Sequence, residues 1–147
     1  RNRVELLRKF SNIPGFRGLG FLNSLSDLRA TEERLQFNGA SAVSLASDIN
    51  VKFRKVILEK FKNHEISLLL GTDLLARGID IENLEVVINF DIPRDREAYT
   101  HRAGRTGRMG NEGSVISLVT HPEDLKKLKK FAKVSELVLK NQELHEK

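Results

Sequence analysis

The chain has 147 residues, a formal charge of +5 and no cysteine. That length suits a single domain with its own core, and the missing thiols exclude a disulfide framework or any thiolate metal site, which fits a cytosolic protein. No apolar run approaches the roughly 18 residues of a membrane span, the N-terminus lacks a signal-peptide pattern, and the charged opening at residues 1–9 reads as part of something longer. Charged residues make up 31% and apolar residues 39%, which is the balance of an ordinary water-soluble globular domain. The basic excess favours a polyanion partner such as nucleic acid, but charge alone is weak support.

Residues 3–10 place Val4, Leu6, Leu7 and Phe10 at helical spacing, and Pro14 and Gly15 end that helix. Residues 19–22 form a compact apolar run, read as a buried strand. Residues 26–37 read as a helix, opened after Asn23 and Ser24 and closed by Asn38 and Gly39. A strand is expected at 42–46 and a helix at 50–63, the latter with Val51, Val56, Ile57, Leu58 and Phe61 as its stripe. Strands follow at 66–70 and 85–89, separated by a loop at 72–83. Residues 96–101 look helical and run into a glycine-rich turn at 104–110. A strand at 115–119 and a helix from Pro122 to about Phe131 complete the pattern. The tail, residues 133–147, fits either a helix or an extended segment.

Strands that alternate with helices and are apolar throughout predict an α/β domain whose parallel sheet is covered by helices on both faces. Ligands in such sheets bind beyond the carboxyl ends of the strands, so the loops after Asn23, Leu70 and Asn89 are the places to search.

Two stretches there carry chemistry. The first is His101-Arg102-Ala103-Gly104-Arg105-Thr106-Gly107-Arg108, with arginines at spacing three and glycines between them. Residues three apart on a helical turn share a face, so these guanidiniums are expected to converge; each matches a phosphate with paired donors. A solvated basic turn explains the charge but not the alternation with glycine. The second is Thr72-Asp73-Leu74-Leu75-Ala76-Arg77-Gly78-Ile79-Asp80, directly after a buried strand. Asp80 suits ribose hydroxyls as an acceptor and Thr72 suits a phosphate as a donor. The plainer alternative has Asp73 or Asp80 capping a turn and pairing with Arg77.

Together these stretches resemble motifs V and VI of the DEAD-box RNA helicases, and residues 3–131 are similar to that family through Val87-Ile88-Asn89-Phe90-Asp91-Ile92-Pro93, Tyr99 and residues 113–120. The resemblance implies a second, C-terminal RecA-like domain over residues 1–132, with 133–147 as an extension. It implies that Arg105 and Arg108 are arginine fingers reaching the γ-phosphate of ATP across a domain cleft. By the same resemblance Asp80 contacts the ribose, Gly78 and Arg77 shape the motif V loop, and His101 and Arg102 couple this domain to its partner. Thr72, Arg54, Asn23 and Arg77 are expected to hold RNA. Phe21 and Asn23 resemble motif IV, which supports the motif VI arginines. The implied partners are RNA, as a single strand or short duplex, and an N-terminal RecA-like domain of the same protein that holds Mg2+.

The match departs from the family in one region. Ala46-Ser47-Asp48 stands where a His-Gly-Asp turn is usual, and Val51 where a glutamine is expected, although Arg54 fits the RNA-binding arginine. Gly71 replaces the usual alanine before Thr72, which is expected to loosen that strand end. No phosphate loop and no Asp-Glu-Ala-Asp sequence occurs here, so this chain alone is expected to be an inactive, monomeric half of a composite site. Two other classes fit less of the pattern: an RNA-binding or protein-docking module without ATP coupling, and a DNA helicase or remodelling ATPase of the same superfamily. The histidines lack metal-ligand spacing, so no metal site is expected. Lys126, Lys127, Lys129 and Lys130 read as a solvated helix face with accessory RNA contact as the lesser reading. Phe16, Phe21, Phe37, Phe53, Phe61, Phe90 and Phe131 are assigned to core or seam positions rather than to base stacking.

Overall fold

The computed structural model describes residues 2–45, 51–77, 84–106 and 113–131. In chain order these give α1 (Asn2–Ser11), β1 (Gly18–Phe21), α2 (Leu25–Phe37), β2 (Ala42–Ser44), α3 (Val51–Lys62), β3 (Leu68–Gly71), α4 (Asp73–Ala76), β4 (Val86–Asn89), α5 (Arg96–Ala103), β5 (Ser114–Ser117) and α6 (Pro122–Phe131). The strands form one parallel sheet in the order β2-β3-β1-β4-β5. Leu68, Leu69 and Leu70 are consecutive and fully buried, as are Val87 and Ile88. Consecutive burial needs cover on both sheet faces, which is why these strands are apolar throughout rather than alternating.

β1 lies at the centre. The chain leaves β1 towards β2, passing β3, and leaves β3 in the opposite direction towards β4, passing β1. Right-handed crossovers place these two connections on opposite faces, which opens a crevice beyond the carboxyl ends of the adjacent strands β1 and β3.

Helix ends follow their capping chemistry. The Ser24 side chain accepts from the Asp27 N–H at the start of α2. At its other end the Gly39 N–H donates to Gln36 O and the Ala40 N–H to Leu35 O, with Gly39 at φ +80°. This is the paired six-to-one and five-to-two closure that glycine makes cheaply. The α3 helix ends the same way through His64 N–H to Phe61 O and Glu65 N–H to Lys60 O, but with a histidine at φ 64°. The outer edge of β2 is covered by α2: Glu32 accepts from the Ser44 N–H at 2.6 Å and Gln36 donates to Ala42 O at 2.9 Å. Those groups would otherwise offer an open ladder to another strand.

Two expectations change. Residues 73–76 of the expected loop form the single turn α4, because Thr72 caps it and three apolar or small residues follow. Phe37 and Phe53 are not core residues, being 90% and 61% exposed. The buried stripe of α2 is Leu28, Thr31 and Leu35, and Phe37, two residues beyond Leu35, falls on the opposite side of the helix. Phe16, Phe21, Phe61 and Phe90 are buried as expected. The Ala46-Ser47-Asp48 turn and the tail lie outside the described residues, as does the side chain of Val51.

Candidate functional site

The carboxyl ends of the central strands are level: Gly71, Phe21, Asn89 and Ser117 stand in one register row. Three segments leave that row together. The Leu22 N–H donates to Gly71 O and the Asp91 N–H to Phe21 O, so the turns after β1, β3 and β4 start out bonded to one another. Asp91 ties them further. Its carboxylate accepts from the Asn23 N–H at 2.9 Å and from Arg3 at 3.0 Å, while Arg3 lies over the Phe90 ring at 4.3 Å.

Arg102 sits at the middle of this junction and is fully buried. Its Nε and Nη2 donate to the two carboxylate oxygens of Asp73, both at 2.8 Å. Nη1 donates to Asn89 Oδ1 at 3.2 Å and to the Asp91 carbonyl at 2.8 Å, and Nη2 also donates to Asn23 Oδ1 at 2.7 Å. A guanidinium has five N–H donors, and each one has an acceptor here. The group also lies over the Phe21 ring at 5.0 Å. A buried charge is tolerated only with this degree of pairing, because desolvating it alone costs several kcal/mol.

The same junction shows where other expected site residues stand. Arg102 and Arg105 both donate to α4, but at different ends: Arg102 to the Asp73 carboxylate and Arg105 to the Ala76 carbonyl, with Gly104 capping α5 between them. Arg102 has no exposed face, so coupling to another domain would run through the side chains that hold it. The amide of Asn23 is engaged internally, accepting from Arg102 and donating to the Ile92 carbonyl at 3.0 Å. The alternative pairing of Asp73 with Arg77 does not occur either, since Asp73 holds Arg102.

Arg105 behaves differently. It is half-buried, and its Nη2 donates to the Ala76 carbonyl at 2.6 Å. The residues around it are fixed by a parallel bridge between Leu84 and Thr106: the Leu84 N–H donates to Arg105 O and the Thr106 hydroxyl to Leu84 O. Thr72 opens α4, its hydroxyl oxygen accepting from the Leu75 N–H at 3.2 Å, which leaves the hydroxyl hydrogen to serve another acceptor. Gly71 pairs with Phe21 and its carbonyl accepts from the Leu22 N–H, so this strand end is bonded to the β1 side despite lacking a side chain.

Between α4 and α5 lies an open cleft of about 680 Å³, lined among others by Asp73, Arg77, Arg94, Glu97, His101 and Arg105. Arg77 and His101 are exposed there. Arg94 donates to the Asn23 carbonyl at 3.1 Å. Arg54 stands near the start of α3, at the same pole of the sheet, and is half-buried. Asp80, Gly78 and Arg108 lie outside the described residues. Among the described residues no group of three or more His, Asp or Glu side chains comes together as metal ligands would, and no helix is long and apolar enough to cross a membrane.

The meeting of Asn89, Asp91 and Asp73 around Arg102 was not foreseen from the sequence. One signal was present: Asn89 ends an otherwise apolar buried strand, and a buried amide implies a partner.

Residues 2–110 match the helicase conserved C-terminal domain family. The chain is 43% identical over 133 residues to the probable ATP-dependent RNA helicase YfmL of Bacillus subtilis, covering 90% of this chain and 35% of that protein. It is 37% identical over 144 residues to the DEAD-box ATP-dependent RNA helicase CshC of Bacillus cereus, covering 98% of this chain and 37% of the relative. The chain thus spans about a third of the length of these relatives. Among solved structures it resembles a DEAD box protein from the hyperthermophile Methanococcus jannaschii, at TM-score 0.74 and 33% identity over 92% of this chain and 37% of that one. It also resembles S. cerevisiae Dbp5 bound to RNA and ADP BeF3, at TM-score 0.77 and 27% identity over 89% of this chain and 35% of that one.

Proposed function

This chain belongs to the helicase conserved C-terminal domain family, as a RecA-like domain of the DEAD-box RNA helicase type, and from that premise we propose that it grips RNA and supplies arginine fingers to an ATPase site completed by an N-terminal RecA-like domain. The observation that carries the reading is Arg105 on the wall of an open cleft, one turn beyond an arginine that is locked into the sheet. A guanidinium presented from so rigid a base meets developing phosphate charge with little reorganisation.

In this reading Arg105 and Arg108 stabilise the γ-phosphate as it transfers, and Asp80 and Gly78 hold the nucleotide's sugar side. Magnesium would come with ATP and be held by the N-terminal domain, where it would neutralise phosphate charge. Thr72, Arg54 and Arg77 take RNA phosphates, with the Asn23 loop beside them, in a mode that is sequence-independent and weakened by salt. His101, exposed in the cleft, faces the partner domain, and Arg102 fixes the base from below. Domain residues 1–132 carry these roles; residues 133–147 are an extension. The relatives' names as RNA helicases, and the RNA and ADP BeF3 bound to the Dbp5 neighbour, support RNA and ATP over DNA. A cytosolic, monomeric isolated domain fits the same reading.

The test is Arg105→Ala in the full-length protein, with ATP turnover measured in the presence of RNA and, separately, of DNA. Turnover with RNA is expected to fall about a thousandfold. Parental turnover would remove the finger assignment, and equal stimulation by DNA and RNA would move the protein out of the RNA helicase class.

A further inference from the structure

We propose that Arg94 is a further RNA contact of this chain, taking a backbone phosphate at the Asn23 loop in place of Asn23 itself; the inference rests on the functional reading above. Asn23 is bonded through each of its polar groups. Its N–H donates to the Asp91 carboxylate at 2.9 Å, and its side-chain amide donates to the Ile92 carbonyl at 3.0 Å. Its side-chain oxygen accepts from Arg102 at 2.7 Å, and its backbone carbonyl accepts from Arg94 at 3.1 Å. The first three partners sit within the junction at the strand ends. Arg94 is exposed. The residue expected to hold RNA is therefore engaged inside, and the group lying over it from the solvent side is a guanidinium.

A phosphate needs donors, whereas the bare carbonyl of Asn23 is an acceptor and repels it. Arg94 covers that carbonyl with Nη2 and puts a cation in its place. A guanidinium has several donors in a planar fork, so one bond to the carbonyl still leaves donors to meet phosphate oxygens. The bond also holds the long side chain in place, which lowers the cost of ordering it when a ligand arrives. The surrounding charge favours an anion. Arg94 lines the same cleft as Arg77 and Arg105. Of the acids on that wall, Asp73 is paired with Arg102, and Asp95 caps α5 by accepting from the Ala98 N–H at 2.8 Å. Glu97 is the remaining acid there, so guanidiniums outnumber the carboxylates that oppose them. Arg94 lies between Pro93 and the cap of α5, outside the strand-end and glycine–arginine stretches, which assign it no role.

The experiment uses the full-length protein and a labelled single-stranded oligouridylate. Its Kd is measured with a non-hydrolysable ATP analogue across a series of KCl concentrations, and thermal melting establishes folding. Arg94→Ala is expected to fold and to weaken binding about tenfold, the scale of one charge-assisted hydrogen bond. The plot of log affinity against log salt is expected to become shallower by about 0.7, the loss of one phosphate contact on a single strand. Arg94→Lys keeps the charge but not the paired donors, so it is expected to keep the parental slope and recover part of the affinity. Weaker binding by Arg94→Ala at an unchanged slope would reduce Arg94 to a support for the Asn23 loop and overturn the contact. An unchanged Kd overturns it as well, and a fall in ATP turnover alongside would assign Arg94 to the nucleotide or the partner domain. Loss of folding in Arg94→Ala also overturns it, since the side chain would then be holding the fold. Arg54→Ala is the reference: if it weakens RNA binding while Arg94→Ala does not, this inference fails and the functional reading stands. If the parent protein binds no RNA, both fall.

Discussion

Arg102 and Arg105 are chemically identical and three residues apart, yet the fold uses them in opposite ways. Around Arg102 every donor is matched by an acceptor drawn from the ends of β1, β3 and β4, and no part of the side chain is exposed. Around Arg105 the chain has left the helix, the side chain is half-buried, and it lines a cleft whose wall also carries Arg77, Arg94 and His101. The first region uses a charge as an internal fastener. The second leaves the same chemistry on the wall of an open cleft. The difference teaches that a guanidinium's role is set by how many fixed acceptors surround it, not by the motif it belongs to.

The sharpest way to break this comparison is to remove the fastener. Arg102→Met is expected to lower the stability of this chain by about 3–5 kcal/mol, because it leaves the Asn23 and Asn89 amide oxygens and the Asp91 carbonyl without their donor and also removes the pairing of Asp73. Urea unfolding measures this, and a loss below about 1 kcal/mol would mean that the network contributes little net stability. Next comes Asn89→Ala. Asn89 is fully buried, accepts from Arg102 and donates to Ser117 at 2.9 Å, so a loss of about 2–3 kcal/mol is expected in the same assay. Arg105→Ala should then cost about 1 kcal/mol, the scale of contacts made by a partly exposed side chain, while abolishing most ATP turnover in the full-length protein. A stability loss as large as that of Arg102→Met would erase the distinction between the two regions. The smallest effect is a control far from both. His64→Gly, at the left-handed end of α3, is expected to raise stability by about 0.5 kcal/mol, since a left-handed side chain costs more than the added glycine entropy. Its melting point should rise without any change in turnover, in line with the Gly39 closure that has the same bonds.

Much of this molecule is written locally. Leu68, Leu69 and Leu70 in succession announce a strand covered on both faces, and the alternation of such runs with amphipathic stretches announces a parallel sheet. Ser24, Asn38 and Gly39 mark the limits of α2 because capping depends on atoms only a few residues away. The arginine and glycine spacing at 101–108 and the strand-end text at 72–80 carried the family resemblance. The short turn α4 was harder to see, since four residues have no periodicity to detect.

What the sequence determined by itself is therefore the set of elements, their order, and the pole of the sheet where the chemistry collects, because each depends on patterns within one segment. What the tertiary structure alone decided is which arginine is spent inside and which faces the cleft. The acceptors that bury Arg102 come from positions 23, 73, 89 and 91, brought together only when β1, β3 and β4 pair in register. No local pattern encodes that meeting, and the desolvation cost of a charge is met only where all of its partners arrive at once.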